Sequence, residues 1–424
     1  QDCTPILAKE QSRGAIQLPE LRLERGYNTR QAMNYGFCAW RDFFNDRQLL
    51  ALGWLRRAIA AIDDESVRWP LMTLFSGILE FNNLFASYKG EGTGAVRHMF
   101  SHHILKPERM TIEANVWGTR KSSGSFLNLF QSRLLRAIDY RETPTEVNGK
   151  SGSPRECAPP FSGEIGLRWP TDGRVVPRGI YLSCGDSAAT QLPDRSIDIV
   201  VTDPPFFDNV HYSELADFFY AWQQLPPSRC GISAHPHGAT TRRDSEVQDS
   251  DAARFADKLK AVFCECRRIL KDDGLLVFTY HHSRDEGWHS LAESILGAGF
   301  VVVNAQPVKA ELSVATPKFQ AKEPIQLDII IVCRKQTSES SSKPKSAPEA
   351  MQSALEKMAR LRQSGFSLSR NDRKIILYGQ LLTTLTSPSE KIEIPDYIDA
   401  ELDRAEPEPM AIRRVARQKA LFTD

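Results

Sequence analysis

A strand-like run at 197–202, with the sequence IDIVVT, leads directly into Asp203-Pro204-Pro205-Phe206. Proline has a fixed φ and no N–H, so the two prolines end the strand in a stiff turn. In open α/β sheets, ligands bind beyond the carboxyl ends of the strands. The run and the turn therefore predict an α/β sheet with an acidic and aromatic site at the end of one buried strand.

This turn contains the groups needed to methylate an exocyclic amino group on a flat base. Such an amine is a poor nucleophile because its lone pair is delocalised into the ring. The Asp203 carboxylate can accept one of its N–H bonds and the Pro204 carbonyl the other, which stabilises the charge that develops as the nitrogen attacks a methyl sulfonium. Phe206 offers a face on which a flipped base can stack. The alternative is a proline-rich turn that closes a strand, with Phe206 as a core aromatic.

A second short strand is predicted at 179–184 and ends in Gly185-Asp186. In that position Asp186, with Gly185 beside it, could bind the adenine end of a cofactor or line its pocket. The alternative is a turn aspartate that caps the strand. Further strands are predicted at 274–280, 300–306 and 326–333, and helices at 213–222, 251–270 and 288–297.

The rest of the chain divides by composition and periodicity. From Gln48 onward, apolar residues recur at three- and four-residue steps, which predicts a helix. The predicted parts are a helical region at 1–140, a linker or insertion at 141–178, a catalytic α/β part at 179–334, a disordered linker at 335–350 and a helical C-terminal extension at 351–424.

Composition excludes several classes of protein. The net charge of +1 gives no overall basic field, so any contact with nucleic acid depends on local groups such as Arg120 and Lys121. The alternative for these two is a solvated surface. No apolar run reaches the length of a membrane span, and no signal peptide is visible. The eight cysteines do not have zinc-site spacing, which predicts reduced thiols, no metal and a cytoplasmic protein.

The stretch around the turn resembles a known family. It is similar to the adenine-specific DNA methylases with a zinc ribbon in their N-terminal half, some of which are encoded in phage-defence operons. The matching segments are TDPPFFDNV at 202–210, Tyr212, DFFY at 217–220, GYNT at 26–29, NYG at 34–36, NDRQL at 45–49, and the stretches 88–126 and 368–379.

The resemblance implies an enzyme that uses S-adenosylmethionine to methylate the N6 amino group of adenine in DNA. It also implies a Rossmann-like class I methyltransferase sheet, of which the five predicted strands would be strands 3–7. Phe207, Asn209 and Tyr212 would belong to the substrate-binding stretch. For Asn209 and Tyr212, the alternative is a helix cap and packing.

The chain also departs from this family. We find neither the motif of the Asp-Pro-Phe-x-Gly-x-Gly type, which cradles the cofactor, nor the zinc-ribbon cysteines. The one glycine-rich candidate, 89–94, follows a helical pattern rather than a strand. The two missing strands include the neighbour of the strand that bears Asp203. Because the chain also begins at Gln1 rather than Met, we expect a fragment or split enzyme. A polypeptide or upstream segment would complete it with the cofactor loop and the zinc ribbon that the resemblance implies.

Two other functions remain open at this point. Some RNA guanine-amine methylases share the Thr-Asp-Pro-Pro-aromatic motif, although they have a glycine soon after it and a separate RNA-binding domain. The other is a non-catalytic DNA-binding or assembly subunit of a methylation or defence complex. The absent glycine loop favours this second alternative, and the intact turn opposes it.

Overall fold

The computed structural model of this protein describes residues 2–88, 96–102, 105–107, 111–148, 152–157, 165–166, 169–170, 179–183, 185–207, 210–225, 240–310, 325–336, 344–387 and 390. The chain divides into two compact units. The first contains Gln1–Asp186 and Val210–Glu246, and the second contains Ser187–Asn209 and Val247–Asp424. The domain bounds predicted from composition stay a prediction.

The first unit is mainly helical. Its helices are α1 (Thr4–Ser12), α2 (Thr29–Met33), α3 (Asp46–Ala60), α4 (Glu65–Leu79), α5 (Phe126–Leu129), α6 (Arg136–Glu142) and α7 (Tyr212–Gln223), with a π-helical stretch at Phe130–Leu135 and short 3-10 helices at Trp40–Phe43 and Met99–His102. Its strands are β1 (Ser87–Tyr88), β2 (Val96–Arg97), β3 (Thr145–Val147), β4 (Pro154–Glu156), β5 (Ile165–Gly166) and β6 (Ile180–Tyr181), which pair as three two-stranded sheets.

Helix α3 shows how local sequence starts these helices. The Asn45 side chain accepts a hydrogen bond from the Gln48 backbone N–H at 2.9 Å, and the Gln48 side chain accepts one from the Asn45 N–H at 3.0 Å. This reciprocal capping satisfies two N–H groups that the helix itself cannot pair. The helix predicted from Gln48 is therefore confirmed. The unit's core is aromatic, with the fully buried side chains Trp40, Phe43, Phe75, Phe218 and Trp222.

The strand predicted at 179–184 is wrong as a member of the main sheet. Only β6 is a strand there, and it pairs in parallel with β5 in the first unit. Ile180 and Leu182 are 39% and 41% exposed. This short run therefore lacks the buried apolar surface that a strand inside a parallel sheet needs.

The second unit contains a four-stranded sheet. Its strands are β7 (Ile197–Thr202), β8 (Leu270–Tyr280), β9 (Phe300–Lys309) and β10 (Leu327–Lys335), in the order β7-β8-β10-β9. β7 runs parallel to β8, and β10 is antiparallel to both of its neighbours. The other four predicted strands are thus present. Within the described residues the sheet has four strands rather than the expected five.

One face of this sheet is covered by helices α8 (Ala252–Ile269), α9 (Asp285–Gly297), α10 (Ala347–Gln363) and α11 (Arg370–Leu381), which share one hydrophobic core with it. Trp288 of α9 stacks on Tyr378 of α11, with ring centroids 5.3 Å apart. Helix α11 lies so close to the sheet that a Cβ on Gly379 would be 3.0 Å from Ile329 Cγ2. The described part of the predicted C-terminal extension, residues 351–387, therefore packs as part of the sheet's own core. The linker predicted at 335–350 overlaps the observed elements at both ends. Lys335 is the last residue of β10, and α10 starts at Ala347.

Within the part of the chain that the structure describes, the other face of the sheet is less buried and the outer edge of β7 has no paired strand. Val277 and Val332 are only half-buried, and Ile199 and Val201 in β7 are 54% and 76% exposed. Among the described residues no strand pairs with the outer edge of β7. An apolar sequence of this kind is typical of a strand with neighbours on both sides, since a bare edge exposes unpaired N–H and C=O groups.

No helix that the structure describes is both long enough and apolar enough to cross a membrane. The described residues also hold no group of three or more His, Cys, Asp or Glu side chains placed to bind a metal ion.

Candidate active site

The Asp-Pro-Pro-Phe turn lies at the carboxyl end of β7, next to the end of β8. The two strands are parallel, and Thr202 is paired with Phe278, so the next residue along β8, Thr279, comes beside Asp203. The Thr279 hydroxyl donates a hydrogen bond to Asp203 Oδ1. Asp203 is nevertheless exposed. The strand register thus holds a carboxylate in one orientation while it stays open to an incoming donor.

Pro204 and Phe206 fix the rest of the turn. Pro204 is buried and Pro205 half-buried. The Phe206 ring makes an edge-to-face contact with Tyr280, with centroids 5.5 Å apart, and lies 4.4 Å from the ring of His281. Phe206 is itself half-buried. One part of its ring packs on the core, as the structural alternative required, and the rest remains open at the surface.

Phe207 has a different place from the one that the resemblance implies. Its side chain is 2% exposed, and it packs edge-to-face on Phe255 and His282, with the Arg284 guanidinium 5.2 Å from its ring centre. Its φ of 57° lies in the left-handed region, which is strained for a bulky residue. Phe207 therefore anchors the turn in the core instead of offering a ring to a base.

Two histidines and an aspartate beside the turn were not expected from the sequence as site residues. His281 Nδ1 is hydrogen-bonded to Asp328 Oδ1 on the neighbouring strand, which orients the ring against Phe206. Burial lowers the pKa of His282, so this second histidine is neutral near pH 7. One sequence signal could have identified the two histidines as site residues. They directly follow β8, and the carboxyl ends of parallel strands meet at the same edge of a sheet.

The remaining predicted site residues lie elsewhere in the chain. Gly185, Asp186, Arg120, Lys121 and Tyr212 are exposed and belong to the first unit, where Tyr212 begins α7. Asn209 and the glycine-rich candidate at 89–94 lie outside the described residues. The structure thus brings Asp203 to Phe207 together, while the roles of the other residues stay predictions.

The comparison with known families bears on the same part of the chain. Residues 197–381 match a family model described as DNA methylase. This region is therefore similar to the DNA methylases. The match begins at the start of β7 and ends at the end of α11, and so includes the Asp-Pro-Pro-Phe turn and both C-terminal helices. It confirms the resemblance for the C-terminal region, and no curated protein matches the chain.

DNA methylases normally take the methyl group from S-adenosylmethionine. In the described part of the second unit, no strand pairs with the outer edge of β7, the edge away from β8. On that side there is accordingly no strand from which a glycine-rich turn could follow. Among the described residues of the second unit, the turn after β7 is therefore present without a glycine-rich cradle for this cofactor beside it. A cavity of about 540 Å³ in the first unit contains none of the predicted site residues in its lining.

The hydrogen bond between Thr279 and Asp203 supports a first prediction. In the assembled methylase, Thr279→Val is expected to lower the rate of methyl transfer to DNA roughly tenfold, because it removes a hydrogen bond to a charged group that fixes its orientation. Thr279→Ser keeps the hydroxyl and should stay close to wild type. Steady-state rates of labelled methyl incorporation measure the difference. Equal rates for the valine and serine variants would show that Thr279 does not position Asp203.

Proposed function

We propose that this chain carries the target-binding half of an S-adenosylmethionine-dependent DNA methyltransferase that acts on the N6 amino group of adenine. The observation that carries the proposal is the exposed Asp203 carboxylate, held by Thr279 in a proline-stiffened turn at the carboxyl edge of the sheet. The match of 197–381 to the DNA methylases supports it. A role in phage defence and a cytoplasmic location stay predictions.

In this proposal the turn prepares the amine for attack. Asp203 accepts one N–H of the exocyclic amine and the Pro204 carbonyl accepts the other, so the nitrogen lone pair is drawn out of conjugation with the ring. As the nitrogen becomes positively charged, the carboxylate is the nearest preorganised negative group and stabilises that charge most. Asp203 does not have to be a strong base, since the amine becomes acidic only after it has been methylated.

The choice of adenine depends on the residue at the first position of the motif. Aspartate there favours adenine, whereas serine would favour cytosine. Phe206 supports a flipped base of either kind, because every base has a face that stacks. The proposal therefore takes adenine as the target, with N4 of cytosine as the competing one.

The open edge of β7 supports the second part of the proposal, a completing polypeptide or upstream segment. Such a segment would add a parallel strand beside β7 and bring the glycine-rich loop, together with the zinc ribbon that the resemblance implies. Ile199 and Val201 are the residues that it would cover, since they are 54% and 76% exposed in an otherwise strand-forming run. A neighbouring strand would pair the free N–H and C=O groups of this edge.

One observation favours a second candidate function. Because the described residues present no cofactor cradle, the chain also fits a DNA-binding or assembly subunit without catalysis. An RNA guanine-amine methylase is the third candidate, because its motif is similar. Transfer of a labelled methyl group by the assembled protein, measured with DNA and with RNA as substrates, distinguishes the three candidate functions. The proposal expects labelled DNA and unlabelled RNA, whereas labelled RNA or no labelled product would contradict it.

A second prediction concerns Phe206. Phe206→Ala is expected to raise KM for DNA about 5- to 100-fold, because stacking of one base on an aromatic ring is worth about 1–3 kcal/mol. Phe206→Tyr keeps the stacking face and should remain active, and KM for the methyl donor should not change in either variant. An inactive tyrosine variant with a normal melting temperature would argue against a stacking role.

A further inference from the structure

The first unit has an aromatic pair, with one exposed ring and one partly buried ring, that no step of the proposed reaction uses. The rings of Tyr27 and His211 stack in parallel, with centroids 4.7 Å apart and planes 14° from each other. Tyr27 is 56% exposed. Since the stack covers one face of its ring, the exposed area consists of the opposite face and the ring edge. The tyrosine therefore presents a free aromatic face next to a covered one.

A single buried carboxylate holds both members of the pair. Glu214 accepts hydrogen bonds from the backbone N–H groups of Tyr27, Asn28 and Thr29, at 2.8, 2.7 and 3.1 Å. The same carboxylate lies 3.7 Å from His211 Nδ1. A Cβ on residue 26 would be 2.3 Å from Glu214 Oε1, so only glycine fits before Tyr27. The position of the tyrosine is thus set by backbone contacts, independently of its own side chain.

The backbone just before this pair is also fixed. The Arg242 guanidinium donates to the carbonyl oxygens of Glu24, at 2.9 Å, and Arg25, at 3.3 Å. Arg242 Nε is in turn 3.6 Å from the buried Asp217, which lies one helical turn after Glu214 on α7. Two acidic residues of one helix therefore hold the segment that bears Tyr27. An exposed ring held in this way loses little freedom when a ligand stacks on it.

We propose that the Tyr27–His211 pair is a fixed platform that stacks on an unpaired nucleobase of DNA, separate from the target base assigned to Phe206. The choice of DNA rests on the proposed function, whereas the stacking does not. Arg25 and Arg30 are exposed on the same segment and supply cations for the adjacent phosphates. Because all bases have a stacking face, the platform contributes affinity without sequence preference.

The test is binding of the purified chain to a fluorescent single-stranded DNA oligonucleotide of mixed sequence, measured by anisotropy without a methyl donor. Tyr27→Ala is expected to weaken binding about 5- to 100-fold, and Tyr27→Phe to stay close to wild type. Tyr35→Ala is the matched control, because Tyr35 is 58% exposed and lies on the same N-terminal stretch. It should bind like wild type. Melting curves confirm that each variant folds.

Three results would overturn the inference. Tyr27→Ala could bind as tightly as Tyr35→Ala. The loss could be equally large on a fully paired duplex, where no base is free to stack. Tighter, Tyr27-dependent binding of an RNA of the same sequence would contradict the assignment to DNA. Failure here is separable from failure of the proposed methylation, because this assay needs neither the cofactor nor methyl transfer, and it compares Tyr27→Ala with Tyr35→Ala in the same purified chain.

Discussion

Asp203→Ala is expected to lower methyl transfer to DNA by at least about a hundredfold. In the proposed function this carboxylate is the preorganised acceptor for the target amine, and removing one such group from a site typically costs on the order of a hundredfold or more in rate. The fold should persist, because Asp203 is exposed and its side chain contacts Thr279 at the surface of the sheet. Labelled methyl incorporation by the assembled enzyme measures the rate, and thermal melting measures the stability.

The matched control for this variant is Asp198→Ala. Asp198 lies on the same strand, is also exposed, and makes a surface ion pair with Lys271 at 2.6 Å. Its loss removes a carboxylate from β7 without touching the turn, so the methylation rate should be nearly unchanged. If Asp203→Ala were as active as Asp198→Ala, the turn would not bind the reacting amine.

The second large expected effect concerns the affinity of this chain alone for the cofactor. The purified chain, residues 1–424, should bind S-adenosylmethionine weakly or not at all, because the described residues provide no glycine-rich turn beside β7. At most Asp186 would supply one contact to the adenine end. Isothermal titration calorimetry on the chain, alone and co-expressed with the proposed completing polypeptide or segment, measures the difference.

The control for this titration is S-adenosylhomocysteine, which shares the adenine and amino-acid ends with the methyl donor. Both ligands should bind only to the completed assembly. Micromolar affinity for either ligand in the chain alone would contradict the need for a completing segment. The glycine-rich stretch at 89–94 would then become the first candidate for the cofactor loop.

Much of the second unit could be predicted from sequence because its signals are local. The apolar runs of β8, β9 and β10 are long and bounded by turn residues. Helix α8 is capped by Asp251, whose side chain accepts a hydrogen bond from the Arg254 N–H. The run at 179–184 failed for a physical reason. It is short and half exposed, and a partner strand, which sequence alone does not reveal, decides the sheet to which it belongs.

In the candidate site, too, residues close together in the sequence could be predicted, whereas residues brought together by strand pairing could not. Asp203, Pro204 and Phe206 are contiguous, so their chemistry is legible in the sequence. Thr279 and Asp328 reach the turn only through the pairing of β7 with β8 and of β8 with β10, and their register is a property of the folded sheet. Gly26 and Glu214 are far apart in the sequence and meet only in the folded protein. Their contact therefore could not be predicted from the sequence either.

The most direct test is nucleoside analysis by mass spectrometry of DNA from cells that co-express this chain and the proposed completing polypeptide or segment. The account predicts N6-methyladenine in this DNA and none above background when the chain carries Asp203→Ala. N4-methylcytosine in its place would contradict the choice of adenine. N6-methyladenine that persists at the wild-type level with Asp203→Ala would contradict the central claim that this turn holds the reacting amine.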